Sequence, residues 1–249
     1  MAISRCRKIP QNFVTLQFVQ KPIFFAPKID EMKKKHLLVW SFVAAVLLLD
    51  QALKIYIKTH FTLGESVHIF DWFQLVFIEN PGMAFGMSFG PKLLLTLFRI
   101  VLSGFIVWYI VRLVRDGWRN GYLLCVAAIL AGAVGNIIDC MFYGLCFGES
   151  TYTQVAEFLP AAGGYAPFLQ GKVVDMFYFP LFTFPDWVPW LGGEIFFSPV
   201  FNLADSFITV GIVVLIIFFQ KDFNASFERY FSKKKSAKTG EKTDENAEK

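Results

Sequence analysis

Four apolar runs decide what this chain can fold into. They cover residues 37–57, 93–114, 121–141 and 200–220. The first is apolar except for Asp50, Gln51 and Lys54 near its end, and the second is broken by Arg99 and Arg112. The third carries no charge before Asp139, and the fourth contains only Asp205. Each meets or approaches the roughly 20 residues that a helix needs to cross about 30 Å of hydrocarbon. Only 18% of the 249 residues are charged and 55% are hydrophobic, whereas a soluble domain carries about 25% charge. The expected fold is therefore a membrane all-α protein of four transmembrane helices, with a small β element.

Basic residues orient it. Eight Lys/Arg precede the first run, three (Arg112, Arg115, Arg119) flank the second connection, and eight follow the last run. The remaining five are Lys54, Lys58, Lys92, Arg99 and Lys172. The positive-inside rule then puts both termini and the short 115–120 loop in the cytoplasm, with the connections 58–92 and 142–199 outside. The net charge of +4 comes largely from the cytoplasmic ends and is no sign of a nucleic-acid partner. Residues 1–31, interrupted by Pro10, Pro22 and Pro27, read as a leader or upstream extension rather than a signal peptide or a domain. Residues 32–220 form the membrane domain. Residues 221–249 read as a basic, polar tail, disordered from Lys233 onward.

The outer connections are not featureless. In 61–90, Ser66–Phe70 and Phe73–Ile78 are β-branched or aromatic with partial alternation, and Glu79-Asn80-Pro81-Gly82 supplies a turn. This predicts a small sheet on the outer membrane face, with Gly82 and Gly86 permitting close backbone approach. The segment 142–199 exceeds an ordinary connection, and its many Phe with Trp187 and Trp190 fit either a lid or interfacial anchoring.

Acidic side chains near hydrocarbon cost roughly 2.5–3.5 kcal/mol, so each asks for a function. Gly132, Asn136 and Asp139 fall at i, i+4 and i+7 on one helical face. Asn202, Asp205 and Ser206 fall at i, i+3 and i+4, in a helix expected to start after Pro199. Asp175, in Val173-Val174-Asp175, reads by itself as a loop residue, and Asp50 with Lys54 at i+4 as an intrahelical pair. Two carboxyls that meet share one proton, because both cannot ionise side by side. Such a pair can activate water against a peptide bond while Asn80, Asn136 and Asn202 orient it. Three histidines (36, 60 and 68) without a metal motif argue against a zinc protease, and no metal or organic cofactor is expected. The four cysteines lack metal spacing, although Cys140 and Cys146 could pair.

Five ordered blocks carry a resemblance. They are Asp50-Gln51-x-x-Lys54, Glu79-Asn80-Pro81-Gly82-Met83-Ala84-Phe85-Gly86, Gly132-Ala133-Val134-Gly135-Asn136-Ile137-Ile138-Asp139, Val173-Val174-Asp175, and Phe201-Asn202-Leu203-Ala204-Asp205-Ser206. In this order the chain resembles bacterial lipoprotein signal peptidase (signal peptidase II). The resemblance implies an aspartic endopeptidase of the inner membrane, its active site on the periplasmic side. It implies cleavage of diacylglyceryl-modified prolipoproteins on the N-terminal side of the lipidated cysteine. Asp175 and Asp205 would be the catalytic dyad. Asn80, Gly82, Asn136, Asp139 and Asn202 would line the pocket, while Asp50 and Lys54 support the fold. Four helices and an outer β-cradle are the family fold, and prolipoproteins and membrane lipids the expected partners of a monomer. Two features depart from the pattern. Cys140 follows Asp139 where the family commonly has arginine, and the segment between Cys140 and Asp175 is longer than usual. The rival reading is an ion- or proton-coupled transporter subunit, whose acids would be spread through the membrane depth.

Overall fold

The computed structural model describes residues 29–81 and 92–232. Gly82 and Gly86, most of the leader and the tail from residue 233 lie outside the described residues. Helix α1 spans Ile29–His60, so it already includes residues 29–31 of the expected leader; α2 spans Lys92–Arg115 and α3 Asn120–Ile138. Helix α3 continues through a π-helical turn, Asp139–Tyr143, and the single turn α4, Gly144–Cys146. Helices α5, Leu203–Phe218, and α6, Gln220–Phe231, meet at a 92° bend. Among the described residues, Ile29–His60, Lys92–Arg115 and Asn120–Cys146 are long and apolar enough to cross a membrane. The bent α5–α6 pair makes up to a fourth.

Helix α3 is the axis of the bundle and packs against α1, α2 and α5. Its small residues explain the closeness. A Cβ on Gly132 would lie 2.2 Å from the Ala204 carbonyl oxygen and 2.6 Å from Ile208. One on Gly135 would lie 2.7 Å from an Asp50 carboxylate oxygen. Helix α1 presents one stripe, Val39, Val43, Val46, Asp50, Lys54 and Ile57, all buried. Spacings of three and four put these residues on one face. The stripe starts as aliphatic core, against Ile110, Leu113, Leu123 and Leu130, and ends in buried charge.

A three-stranded antiparallel sheet crowns the end of the bundle where α1 finishes and α5 begins. Its strands are β1, Ser66–Phe70, β2, Phe73–Asn80, and β3, Val173–Tyr178, in the order β1-β2-β3. The expected hairpin is thus joined by a third strand drawn from the other long connection. Asp175 is not a loop residue: β3 pairs it with Ile78, and the two valines before it are in the ladder and buried. Phe177 exchanges backbone hydrogen bonds with Phe201 at 2.7 and 3.0 Å, which carries the strand directly into α5.

The rest of the long connection divides in two. Residues 147–172 fold back onto α4, through Leu159 N–H to the Cys146 carbonyl (2.7 Å) and Ala166 N–H to the Gly144 carbonyl (3.0 Å). Gly171 N–H also donates to the Cys140 carbonyl (2.8 Å), and Leu63 N–H, between α1 and β1, to the Thr151 carbonyl (2.9 Å). Beyond β3, the short strands β4, Phe182–Thr183, and β5, Ile195–Phe196, close an aromatic hairpin whose Trp190 is 100% exposed. Helix α6, within the expected polar tail, buries Ser226, which shares hydroxyl contacts with Tyr109 (2.6 Å) and Tyr122 (3.0 Å).

Because the α3–α5 contact is backbone against backbone, Gly132→Ala should cost about 1–3 kcal/mol and lower Tm in detergent. A variant as stable as the parent would show that the two helices can separate at no cost.

Candidate active site

Asp205 is placed by a capping box. Asn202 is the N-cap of α5, and its side-chain oxygen accepts from the Asp205 N–H at 3.0 Å. The Asp205 carboxylate reaches back to the Asn202 N–H at 3.4 Å. Helix α5 therefore starts at Leu203 rather than directly after Pro199, and the extended residues before the cap belong to the Phe177–Phe201 bridge. An Asn with an acid three residues later, ahead of an apolar run, is the signature of this start.

The same Asn202 links the two aspartates. Its amide donates to Asp175 Oδ1 at 2.6 Å and to Asn136 Oδ1 at 3.1 Å. Asn136 in turn donates to Asp205 Oδ1 at 2.8 Å. Asn80, at the end of β2, donates to Asp175 Oδ2 at 3.1 Å. Two carboxylates from a strand and a helix are thus joined through two amides, with a third amide closing the far side. Burial, then the nearby Asp205 charge, pushes Asp175 up to about 7, against the hydrogen bonds from Asn80 and Asn202 that favour its ionised form.

Beneath this layer lies a buried charge cluster. The Lys54 ammonium, fully buried, sits 3.0 Å from Asp50 Oδ2, 2.8 Å from Asp139 Oδ2 and 2.8 Å from Asn136 Oδ1. Asp50 and Lys54 do pair at i, i+4, but as part of the site's floor rather than as an isolated pair near an interface. Asp50 Oδ1 also accepts from the Ala204 N–H at 3.0 Å, satisfying a donor in the first turn of α5. Asp139 takes Lys54 as its counter-charge, together with the Gln51 amide at 2.9 Å. The residue after it, Cys140, is buried and receives Arg99 Nη1 of α2 at 3.9 Å. Cys140 and Cys146 are both free thiols.

The sequence reading missed a second cluster. Lys58, fully buried, pairs with Glu79 and donates to Ser150 Oγ at 2.9 Å. Lys172 pairs with the other Glu79 oxygen at 2.8 Å. The Tyr165 ring covers both cations, at 4.9 Å from the Lys58 nitrogen and 5.3 Å from that of Lys172. Burial alone would raise Glu79, but the Lys58 charge and the hydrogen bonds from Lys172, Lys58 and Ser150 hold it below the usual carboxylate range. This clamp fixes β2 one residue before Asn80 and ties residues 147–172 to the sheet. Asp50, Lys54 and Lys58 at i, i+4 and i+8 were the signal that could have revealed it. A cavity of about 340 Å³ opens beside Asp175, lined by Ile78, Asn80, Pro81, Ser198 and Val200 among others.

A family model described as Signal peptidase (SPase) II matches residues 42–221. The chain belongs to this family of peptidases. A lipoprotein signal peptidase of Porphyromonas gingivalis is 47% identical over 184 residues, covering 72% of this chain and 81% of the relative. That of Amoebophilus asiaticus is 37% identical over 192 residues, covering 72% and 77%. That of Pelodictyon phaeoclathratiforme is 33% identical over 198 residues, covering 76% and 93%. Two solved structures described as bacterial membrane enzymes share the fold. One aligns with a TM-score of 0.52 at 21% identity, over 80% of this chain and 94% of that one. The other aligns with a TM-score of 0.50 at 22% identity, over 74% and 93%. All five blocks of the resemblance lie inside the matched region, and each contributes a residue to the Asp175–Asp205 platform or to its floor.

The elevated Asp175 proton affinity has a thermodynamic consequence. The folded chain holds this proton up to about pH 7, whereas an unperturbed Asp releases it near 3.8. The contribution to stability is complete below pH 3.8 and is lost as the pH rises through 7. Asp175→Asn should flatten that fall and raise Tm at pH 8 in detergent. An unchanged pH dependence of Tm would show that Asp175 titrates as it does in the unfolded chain.

Proposed function

We propose that the chain is an aspartic endopeptidase that removes signal peptides from diacylglyceryl-modified prolipoproteins, cutting on the N-terminal side of the lipidated cysteine. The observation that carries this reading is the pair Asp175 and Asp205, bridged by Asn202 and Asn136 at one end of an apolar bundle. Membership of the signal peptidase II family supplies the substrate class. The basic termini support an N-in, C-in arrangement of four spans in the bacterial inner membrane, with sheet and dyad on the periplasmic side. One chain supplies both aspartates, so a monomer suffices.

The chemistry follows from a pair that holds one proton between two carboxyls. The ionised carboxylate takes a proton from water as its oxygen attacks the scissile carbonyl. The protonated partner hydrogen-bonds to that carbonyl oxygen and stabilises the charge that develops there. Collapse of the tetrahedral intermediate breaks the C–N bond, and a proton passes from the pair to the leaving amine. Asn80 and Asn202 fix the two Asp175 oxygens, while Asn136 fixes one oxygen of Asp205. In this reading Asn80, Asn136 and Asn202 are positioning residues, and Asp50, Lys54 and Asp139 form the floor on which they stand. Gly82 is proposed to shape the pocket wall beyond Pro81. The cavity beside Asp175 is where the peptide would enter.

The transporter alternative finds no support in the relatives. It also needs acids along a path, whereas Asp50, Asp139, Asp175 and Asp205 gather around one platform.

Replacing Asp175 or Asp205 by Asn should each lower cleavage of a lipid-modified precursor by roughly 10⁴-fold or more, with normal membrane insertion. The parent enzyme should show a pH–rate profile with one limb near 7. Full processing by either variant would remove that residue from the dyad.

A further inference from the structure

Helix α2 contributes nothing to the dyad, yet it carries a polar stripe. Lys92, Thr96, Arg99 and Ser103 stand at i, i+4, i+7 and i+11, on one face of a helix whose other charges, Arg112 and Arg115, lie in its last turn. The upper half of the stripe is satisfied within the protein. Lys92 donates to the Gln170 carbonyl at 2.9 Å, and the buried Thr96 hydroxyl donates to the Lys92 carbonyl at 3.1 Å. Gln170 lies just before β3, so this face of α2 flanks the platform that holds Asp175.

Among the described residues the lower half is poorly satisfied. Arg99 carries five N–H donors, and its hydrogen-bond partner among the described residues is the Cys140 thiol at 3.9 Å, a weak acceptor. One turn further on, Ser103 is 6% exposed, and its hydroxyl is the one buried side-chain polar atom without a partner among the described residues. A guanidinium about 10 Å along a helix able to span a membrane is expensive unless an oxygen ligand meets it. Cys140, against which it rests, directly follows Asp139 of the site floor. Arg99 is half-buried.

We propose that Arg99 binds the acyl-ester carbonyl oxygens of the substrate's diacylglyceryl group, and so sets how deeply the lipidated cysteine sits relative to Asp175 and Asp205. This rests on the peptidase reading above. An ester carbonyl is a neutral acceptor found at this depth, and a fork of N–H donors can engage two of them at once. Arg99 is a substrate-binding residue in this scheme, not a catalytic one. The same ester chemistry is offered by bulk phospholipid, and the test separates the two sources.

The experiment compares parent, Arg99→Gln and Arg99→Lys enzymes in nanodiscs on a precursor whose two chains are ester-linked or ether-linked. The ether form keeps the chains and removes the carbonyls. The parent should prefer the ester precursor. Arg99→Gln should raise KM for it about tenfold, with kcat within about twofold, and leave KM for the ether precursor unchanged. Arg99→Lys, which keeps the charge and guards against a folding defect, should fall between. Equal KM changes on both precursors, or none, would overturn the assignment. So would an effect that follows ester or ether linkage in the nanodisc phospholipid rather than in the substrate, since that assigns Arg99 to bulk lipid. Failure of the parent to cleave either precursor would instead sink the peptidase reading itself.

Discussion

One buried ammonium organises this molecule. Lys54 has no access to solvent and contacts two carboxylates and the Asn136 amide, each within 3.0 Å. Removing one partner of such a cluster strands the others, at a typical cost of about 3–5 kcal/mol. The elements it joins are those that must be fixed. Asp50 and Lys54 come from α1, Asp139 and Asn136 from α3 and its π-helical turn, and Asp50 reaches the first turn of α5 through the Ala204 N–H. The amide layer above inherits its positions from this floor. Asn136 Oδ1 accepts from Lys54 and from Asn202, so its amide nitrogen faces Asp205. An amide's fixed donor–acceptor polarity converts one buried cation into the orientation of two candidate catalytic carboxylates.

The second cluster does for the sheet what the first does for the helices. Glu79, held by Lys58 and Lys172, anchors β2 beside the residue that contacts Asp175. Over 147–172 the long connection after α4 is thereby a wall rather than a free lid: its backbone bonds to α4, to Cys140 and to Leu63 just before β1. The aromatic hairpin beyond β3 is a different matter, with Trp187 and Trp190 largely outside any packing.

Much of this was legible in the sequence. The apolar runs mark α2, α3 and α5 to within a few residues, while α1 begins eight residues earlier than expected and α6 was read as tail. Gly132, Asn136 and Asp139 do share a face, and the convergence of Asp175 with Asp205 follows from the ordered blocks. What could not be read was long-range. Val173-Val174-Asp175 gives no hint of its partner strand, because β3 pairs with a strand about a hundred positions earlier and its flanks look like loop. The counter-charge of Asp139 was equally hidden. Local spacing offered Lys54 to Asp50 and nothing to Asp139, while the structure gives one lysine to both. The start of α5 was misplaced because Pro199 is a familiar opening signal, while the Asn202–Asp205 box is quieter and decisive.

The third strand has a consequence for the order of events during synthesis. Asn80 meets Asp175 across 95 positions, and Asp50 meets the backbone of Ala204 across 154. Closing contacts of that separation is entropically slow, and the last of them needs α5 to be in place. Until then Asp205 has no amide bridge and Asp175 has no Asn202, so the two acids stand apart in the growing chain. The candidate site is therefore incomplete until α5, far along the chain, has joined the bundle.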